Sequence, residues 1–374
     1  MLPAIDGLGS LSLTAWWPLR VLLLVATVAV VVLTLRHARR IGSILLATAL
    51  VAGLVLANLA AAANAYHGRY PTVAALVAGA PVEAAALPRP APDRGEVLPV
   101  AIPGTTSGFA ARQALVYLPP AWFADPRPRL PVVMLLHGAG GEPAEWIDAG
   151  GAAGAADAWA AAHEGVAPVL VLPDVNGRDG TARGCVDSAA GNVETYLTAD
   201  VPALLQREFG TLPPGPDWAV AGHSAGGACA IMLSLRNPAV FGTFGDFGGL
   251  AGPRLGTTNA EVAPTLQGLF DGDARRFGAH EPAQLLAGGE FPELGGWFQV
   301  GSEDTGPVTA MATLVPLAQA AGVDTCLVVR PGIGGGAAMW SAAFADSLPW
   351  TAARLGLVER TPEMVRDCGP VPGP

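Results

Sequence analysis

Two long apolar stretches, Val21–Leu35 and Ile41–Ala63, stand near the start of the chain, separated only by Arg36-His37-Ala38-Arg39-Arg40. The second is long enough to span a bilayer, which takes about 20 residues of helix. The first gains length from Trp16 and Trp17, which suit the membrane interface, and from Arg20, which can snorkel to it. The pattern predicts a helical hairpin over residues 1–65, with spans at about 16–35 and 41–63. Arginines in the short connection place it in the cytoplasm, so both ends, and everything after residue 65, face outward. Ala63-Asn64-Ala65 matches a small-x-small cleavage pattern, and release of the domain after Ala65 is the alternative.

Residues 66–97 are rich in Pro and Ala and read as a spacer. Beyond them the pattern changes to short apolar runs alternating with Ala-rich, helix-like stretches. Strands are predicted at 112–119, 130–136, 166–173, 218–222, 241–247, 297–301 and 325–330. Helices are predicted at 151–162, 192–209, 228–235, 309–321 and 337–355. Continuous rather than alternating apolar runs mark strands buried on both faces. The order therefore predicts an α/β domain over 98–358, a mostly parallel sheet with helices on both faces. Residues 359–374 read as a loose Pro/Gly tail.

One junction carries chemistry. The run Trp218-Ala219-Val220-Ala221 enters Gly222-His223-Ser224-Ala225-Gly226, and a helix-like stretch follows. A strand, a sharp turn and a helix with a serine at the apex is the pattern of a nucleophile elbow. Another strand, Leu130–Leu136, runs into His137-Gly138-Ala139-Gly140-Gly141, and Trp297–Gly301 runs into Ser302-Glu303-Asp304.

Charge and cysteine content refine this picture. Residues 1–70 carry five Arg and one Asp, whereas the remainder has a net charge of −14. An acidic main domain argues against nucleic acid as a partner. No spacing suggests a metal site or a phosphate loop, and no cofactor is expected. Cys185, Cys229, Cys326 and Cys368 permit three fully paired arrangements. In an extracytoplasmic domain, Cys185–Cys229 would brace the elbow helix and Cys326–Cys368 would pin the tail; free buried thiols are the alternative.

With His-Gly-Ala-Gly-Gly after one strand, Gly-His-Ser-Ala-Gly after another and Gly-Ser-Glu-Asp after a third, the chain resembles the α/β-hydrolase fold. More narrowly it resembles the Putative esterase family over about residues 98–358, in a membrane-anchored actinobacterial form. That family contains esterase D-type enzymes and secreted mycolyltransferases. Gly191-Asn192-Val193-Glu194-Thr195-Tyr196-Leu197 and the Trp-bearing final helix fit the same group. The resemblance implies Ser224 as nucleophile, and backbone N–H groups of Ala225 and Ala139 as the oxyanion hole. It implies Asp304 as the acid, with Glu303 as its substitute. The expected function is that of a membrane-anchored serine esterase or acyltransferase acting on carboxylic esters, including acyl lipids of the cell envelope.

The chain departs from that family at the base. Chain order in this fold runs Ser, acid, His, and the His belongs in the loop after the last strand. Here that loop reads Pro331-Gly332-Ile333-Gly334-Gly335-Gly336-Ala337-Ala338-Met339-Trp340, so Gly335 or Gly336 stands where His is expected. No histidine follows His280. His280 is the remaining late candidate for a base; His137 and His223 flank turns and read as structural. The second expectation is therefore a catalytically inactive homologue that binds a lipid, a glycan or a protein.

Overall fold

The computed structural model describes residue 27 and residues 50–55 and 92–369. Residues 27 and 50–55 are helical, and among the described residues no helix is long and apolar enough to cross a membrane. The rest of the expected hairpin, its basic connection and the Ala65 site lie outside the described residues. The chain divides into two compact units, Met1–Ala86 and Leu87–Pro374, and the second holds the sheet.

Eight strands form that sheet: β1 (Glu96–Val100), β2 (Ala114–Leu118), β3 (Val132–Leu136), β4 (Val169–Leu172), β7 (Gly215–His223), β8 (Phe241–Phe247), β9 (Gly295–Gly301) and β10 (Asp324–Arg330). A separate two-stranded hairpin, β5 (Asp187–Ser188) and β6 (Gly191–Asn192), stands outside it. The order across the main sheet is β1-β2-β4-β3-β7-β8-β9-β10. β1–β2 and β2–β4 pair antiparallel, and every other neighbouring pair is parallel. Spatial order differs from chain order around β3, which is where an α/β sheet opens a crevice at the strand C-termini.

Side-chain alternation explains the unbroken apolar runs. Val132, Met134 and Leu136 of β3 belong to one core, and Val133 and Leu135 belong to the core on the opposite face. β4 and β7 divide in the same way, so neither face of these strands meets water. One core is covered by α3 (Val201–Phe209), α4 (Ala225–Arg236) and α8 (Thr305–Ala320). The other is closed by α2 (Ala152–Ala162) and α9 (Ala337–Arg354), whose Trp340, Phe344 and Trp350 are buried there. A short helix α1 (Glu145–Asp148) lies before α2, and α5 (Val262–Phe270), α6 (Ala274–Gly278) and α7 (Pro282–Gly288) fill the connection between β8 and β9.

Three features differ from the sequence reading. The helix expected over 192–209 runs from Val193 to Phe209, but it is interrupted by a π turn at Tyr196–Asp200 before α3. The spacer assigned to 66–97 ends in β1, whose pairing with β2 recruits Glu96 and Val97 into the sheet. The C-terminal segment read as a loose tail is tied down, by the Cys326–Cys368 pairing weighed above and by the Gly369 N–H, which donates to Leu327 O at 2.8 Å. Backbone partners contributed by distant strands organise Pro-rich stretches that local composition reads as coil.

Candidate active site

β7 delivers Ser224 and α4 begins at Ala225. The serine has φ 53° and ψ −120°, a left-handed conformation that costs a non-glycine residue energy and is found where function demands it. The Ser224 N–H donates to Phe247 O at 3.2 Å, and its carbonyl accepts from Gly227 and Ala228. The flanking glycines follow from close approach. A β-carbon on Gly222 would strike the Gly226 backbone, and one on Gly226 would strike the carbonyl oxygens of Leu136 and His137. Ala225 is the first residue of its helix, where the N–H has no partner within the helix.

A cleft of about 410 Å³ opens over the serine. Gly138, Ala139, Glu145, His223, Asp304, Gly335, Gly336 and Trp340 line it together with Ser224. The structure thus brings Ser224, Ala139 and Asp304 to one cavity from three separate strand ends. Asp304 occupies the N-cap of α8 but makes no capping bond, and partial burial without a partner raises its carboxyl pKa above the ordinary value. Glu303 is exposed, and the cleft is lined by Asp304 instead.

The loop after β10 is docked against this acid. Gly332 N–H donates to Ser302 Oγ at 2.9 Å, and Glu303 N–H donates to Ile333 O at 3.0 Å. A β-carbon on Gly335 would point into the Asp304 carboxylate. Gly336 has φ 136°, a region that L side chains rarely adopt. Position 335 is therefore the place from which a side chain would meet the acid.

His280 is not brought to Ser224. Its Nδ1 lies 2.7 Å from Arg276 O and its Nε2 lies 3.3 Å from Glu194 Oε2. Burial opposes the charged form of Glu194, yet bonds from His280, Arg236 and Asn237 hold its pKa down at about 2. The short helices α6 and α7 carry His280 into this buried network, and it does not line the Ser224 cleft. His163 is equally remote, stacked on Trp159 with ring centroids 3.8 Å apart.

His223 does line the cleft, but it is firmly held. Its ring lies flat on Trp340, with centroids 4.3 Å apart and planes 10° from parallel. Its Nε2 is 3.4 Å from Glu145 Oε2 and 3.3 Å from the Gly138 nitrogen. Hydrogen bonding from His223 lowers the Glu145 pKa despite partial burial. This His223–Glu145–Trp340 group could not be found in the sequence, because its members are far apart in the chain.

The loop His137–Gly141, which holds Ala139, has its own support, which composition did not reveal. Arg112 Nη2 donates to Gly141 O at 2.7 Å, and Asn176 Nδ2 donates to Gly138 O at 3.4 Å and to Gly141 O at 3.2 Å. His137 Nδ1 lies 3.0 Å from Gly138 O, and its Nε2 accepts from Val175 N–H at 3.1 Å. Asp174 joins the group by accepting from the Arg112 backbone and guanidinium. Burial opposes its charge, but bonds from Arg112 hold it well below the usual carboxylate range. Asp174 follows directly on the strand predicted over 166–173, and that is the network's nearest trace in the sequence. Two disulfides complete the frame: Cys185–Cys229 clamps the segment before β5 to α4, and Cys326–Cys368 links β10 to the tail.

The family model described as "Putative esterase" matches residues 110–357. The chain belongs to that family. A protein of Corynebacterium glutamicum described as uncharacterized is 35% identical over 334 residues, spanning 84% of this chain and 77% of its own. Among solved structures, a ferulic acid esterase superposes with a TM-score of 0.60 at 17% identity, covering 70% of this chain and 98% of its own. An S-formylglutathione hydrolase from Agrobacterium tumefaciens gives 0.58 at 21% identity, covering 70% and 95%. The fluorophosphonate-binding serine hydrolase F of Staphylococcus aureus gives 0.55 at 17%, covering 69% and 98%. At these identities the structures agree with this esterase-family chain in fold, the α/β-hydrolase fold.

Removing the Asn176 amide tests the support of the loop that holds Ala139. Asn176→Ala deletes two bonds that hold the carbonyls flanking Ala139, each worth about 1 kcal/mol. The expected result is a drop of about tenfold in the rate at which Ser224 reacts with a fluorophosphonate, with the thermal unfolding midpoint shifted by only a few degrees. An unchanged labelling rate would rule out a role for Asn176 in holding the donors.

Proposed function

We propose that this chain is a membrane-anchored, extracytoplasmic serine esterase or acyltransferase acting on carboxylic esters, with acyl lipids of the cell envelope as the substrate class. The observation that carries the reading is the strained Ser224 in a cleft shared with Ala139 and Asp304. Ser224 Oγ attacks the ester carbonyl, and the N–H groups of Ala225 and Ala139 receive the oxyanion. Such a donor contributes roughly 3 kcal/mol to the transition state. Asp304 supplies the counter-charge for a nitrogen that accepts the serine proton. Two apolar stretches in the first 65 residues and two disulfides in the main domain support the location, since disulfides persist outside the cytoplasm.

The reading competes with one in which the cleft binds an acyl chain, a glycan or a protein without turnover. The glycines at 335 and 336 favour that alternative, because a serine at its free pKa needs a base within hydrogen-bond reach. A fluorophosphonate probe separates the two, and a structural neighbour is named for binding this reagent. The expected result is covalent labelling at Ser224, lost in Ser224→Ala, together with p-nitrophenyl ester hydrolysis above the Ser224→Ala rate. Folded protein that takes no label and shows no such hydrolysis, with or without an added nitrogen base, supports the binding reading.

A further inference from the structure

We propose that the Ser224 cleft takes its general base from outside the chain: an imidazole-like, weakly basic nitrogen, carried by the ester substrate or by a small diffusible molecule, docks between Asp304 and Ser224 and accepts the serine proton. This rests on the esterase reading of the cleft. Four observations lead to it. Ser224 and Ala139 line one cleft with Ala225 next to the serine, and among the described residues the histidine that lines it, His223, is held by Trp340 and Glu145. Asp304 lines the same cleft and its carboxylate has no capping bond, which leaves it available to a ligand N–H.

The wall beside that carboxylate is Gly335-Gly336, which contributes no side chain, and the cleft holds about 410 Å³, several times the bulk of an imidazole ring. The charged side chains lining the cleft are Glu145 and Asp304, with His223 held between Trp340 and Glu145. Among the described residues no arginine lines it. A carboxylate-rich wall favours a ligand that becomes cationic during the reaction over one that carries an acid. A base working near neutral pH needs a pKa near that pH, which selects imidazole or a similarly weak amine over an alkylammonium.

The step balances without other reagents. The docked nitrogen removes the Ser224 hydroxyl proton as Oγ bonds to the ester carbon, and the carbonyl π pair becomes the oxyanion held by Ala139 and Ala225. The oxyanion collapses, the alcohol C–O bond breaks, and the departing oxygen takes the proton from the nitrogen. The same nitrogen then deprotonates water or an acceptor hydroxyl as its oxygen bonds to the acyl carbon, and when the acyl–Oγ bond breaks the nitrogen returns the proton to Ser224 Oγ.

The test measures p-nitrophenyl butyrate hydrolysis by the full chain against imidazole concentration, with Ser224→Ala run in parallel to subtract solution catalysis. The expected result is a saturable, Ser224-dependent increase of at least tenfold that Asp304→Asn reduces by at least tenfold and that Gly335→His makes unnecessary. Histidine methyl ester and phenylalanine methyl ester, compared without imidazole, identify the source. Faster cleavage of the histidine ester indicates a substrate-borne base, and equal rates alongside saturable imidazole activation indicate a diffusible one. The proposal is overturned if imidazole gives no saturable Ser224-dependent activation and the two esters are cleaved alike. In that case, fluorophosphonate labelling of Ser224 without added base leaves the esterase reading standing, whereas failure to label under every condition removes both.

Discussion

Gly335→His raises Ser224-dependent hydrolysis of a p-nitrophenyl ester by two to four orders of magnitude, the range that a positioned general base supplies. A β-carbon at 335 points at the Asp304 carboxylate, and that carboxylate has no capping bond to hold it in place. It can swing to accept an N–H from an imidazole rooted at 335, leaving the other ring nitrogen for Ser224. The neighbouring positions are poorer hosts. Gly336 has φ 136°, where a histidine would be strained, and Gly334 does not line the cleft. The decisive measurement is kcat/KM for Gly335→His against the double variant that also carries Ser224→Ala. Adding Asp304→Asn to Gly335→His is expected to take back most of the gain, because the imidazolium then lacks its counter-charge. No gain over the native chain would mean that the loop after β10 does not present residue 335 to the serine.

The second large effect concerns Asp246, at the end of β8 and beneath the elbow helix. Its side chain is fully buried, Oδ1 accepts from Gly249 N–H at 2.8 Å, and Oδ2 has no hydrogen-bond partner. Burial pushes its pKa up to about 7, and the single backbone bond offsets only part of that. The folded state therefore keeps a proton that the unfolded chain, titrating near 3.8, has already released. The contribution of this group to stability is fully present below pH 3.8. It declines as pH rises through the interval to about 7, and it is lost above that. At 1.36 kcal/mol per unit, the loss is of the order of 4 kcal/mol. Asp246→Asn keeps the shape and removes the ionisation. Urea unfolding at pH 5 and pH 8 is expected to show the variant gaining on the native protein by several kcal/mol between the two. A difference that does not change with pH would show that Asp246 is ionised and solvated in the folded state.

Much of this protein could be read from short-range pattern. Continuous apolar runs identified β3, β4 and β7 because both faces of those strands are buried. The final helix was found to within a residue or two because its heavy apolar load covers one whole face of the sheet. The elbow was legible because its glycines answer to collisions within a few residues or with the adjoining strand. The helices α5 to α7 were not found, since at five to nine residues, broken by Pro and Gly, they have little helical periodicity and are held by packing.

The site divides along the same line. Ser224 and the loop holding Ala139 declare themselves locally, as does the absence of histidine after His280. That Asp304 meets Gly335, that Asn176 and Arg112 hold the loop carrying Ala139, and that Trp340 pins His223 are encounters between residues distant in the chain. They depend on strand order and on the docking of loops at the strand ends. His280 shows the limit: its place in the chain allowed it to be a base, and only the packing of α6 and α7 against Glu194 and Arg236 draws it away from the serine. Local sequence sets backbone preference and burial pattern through sterics and hydrophobicity, which act between near neighbours. Which acid, base and donor share one cavity is set by tertiary packing, which no window along the chain contains.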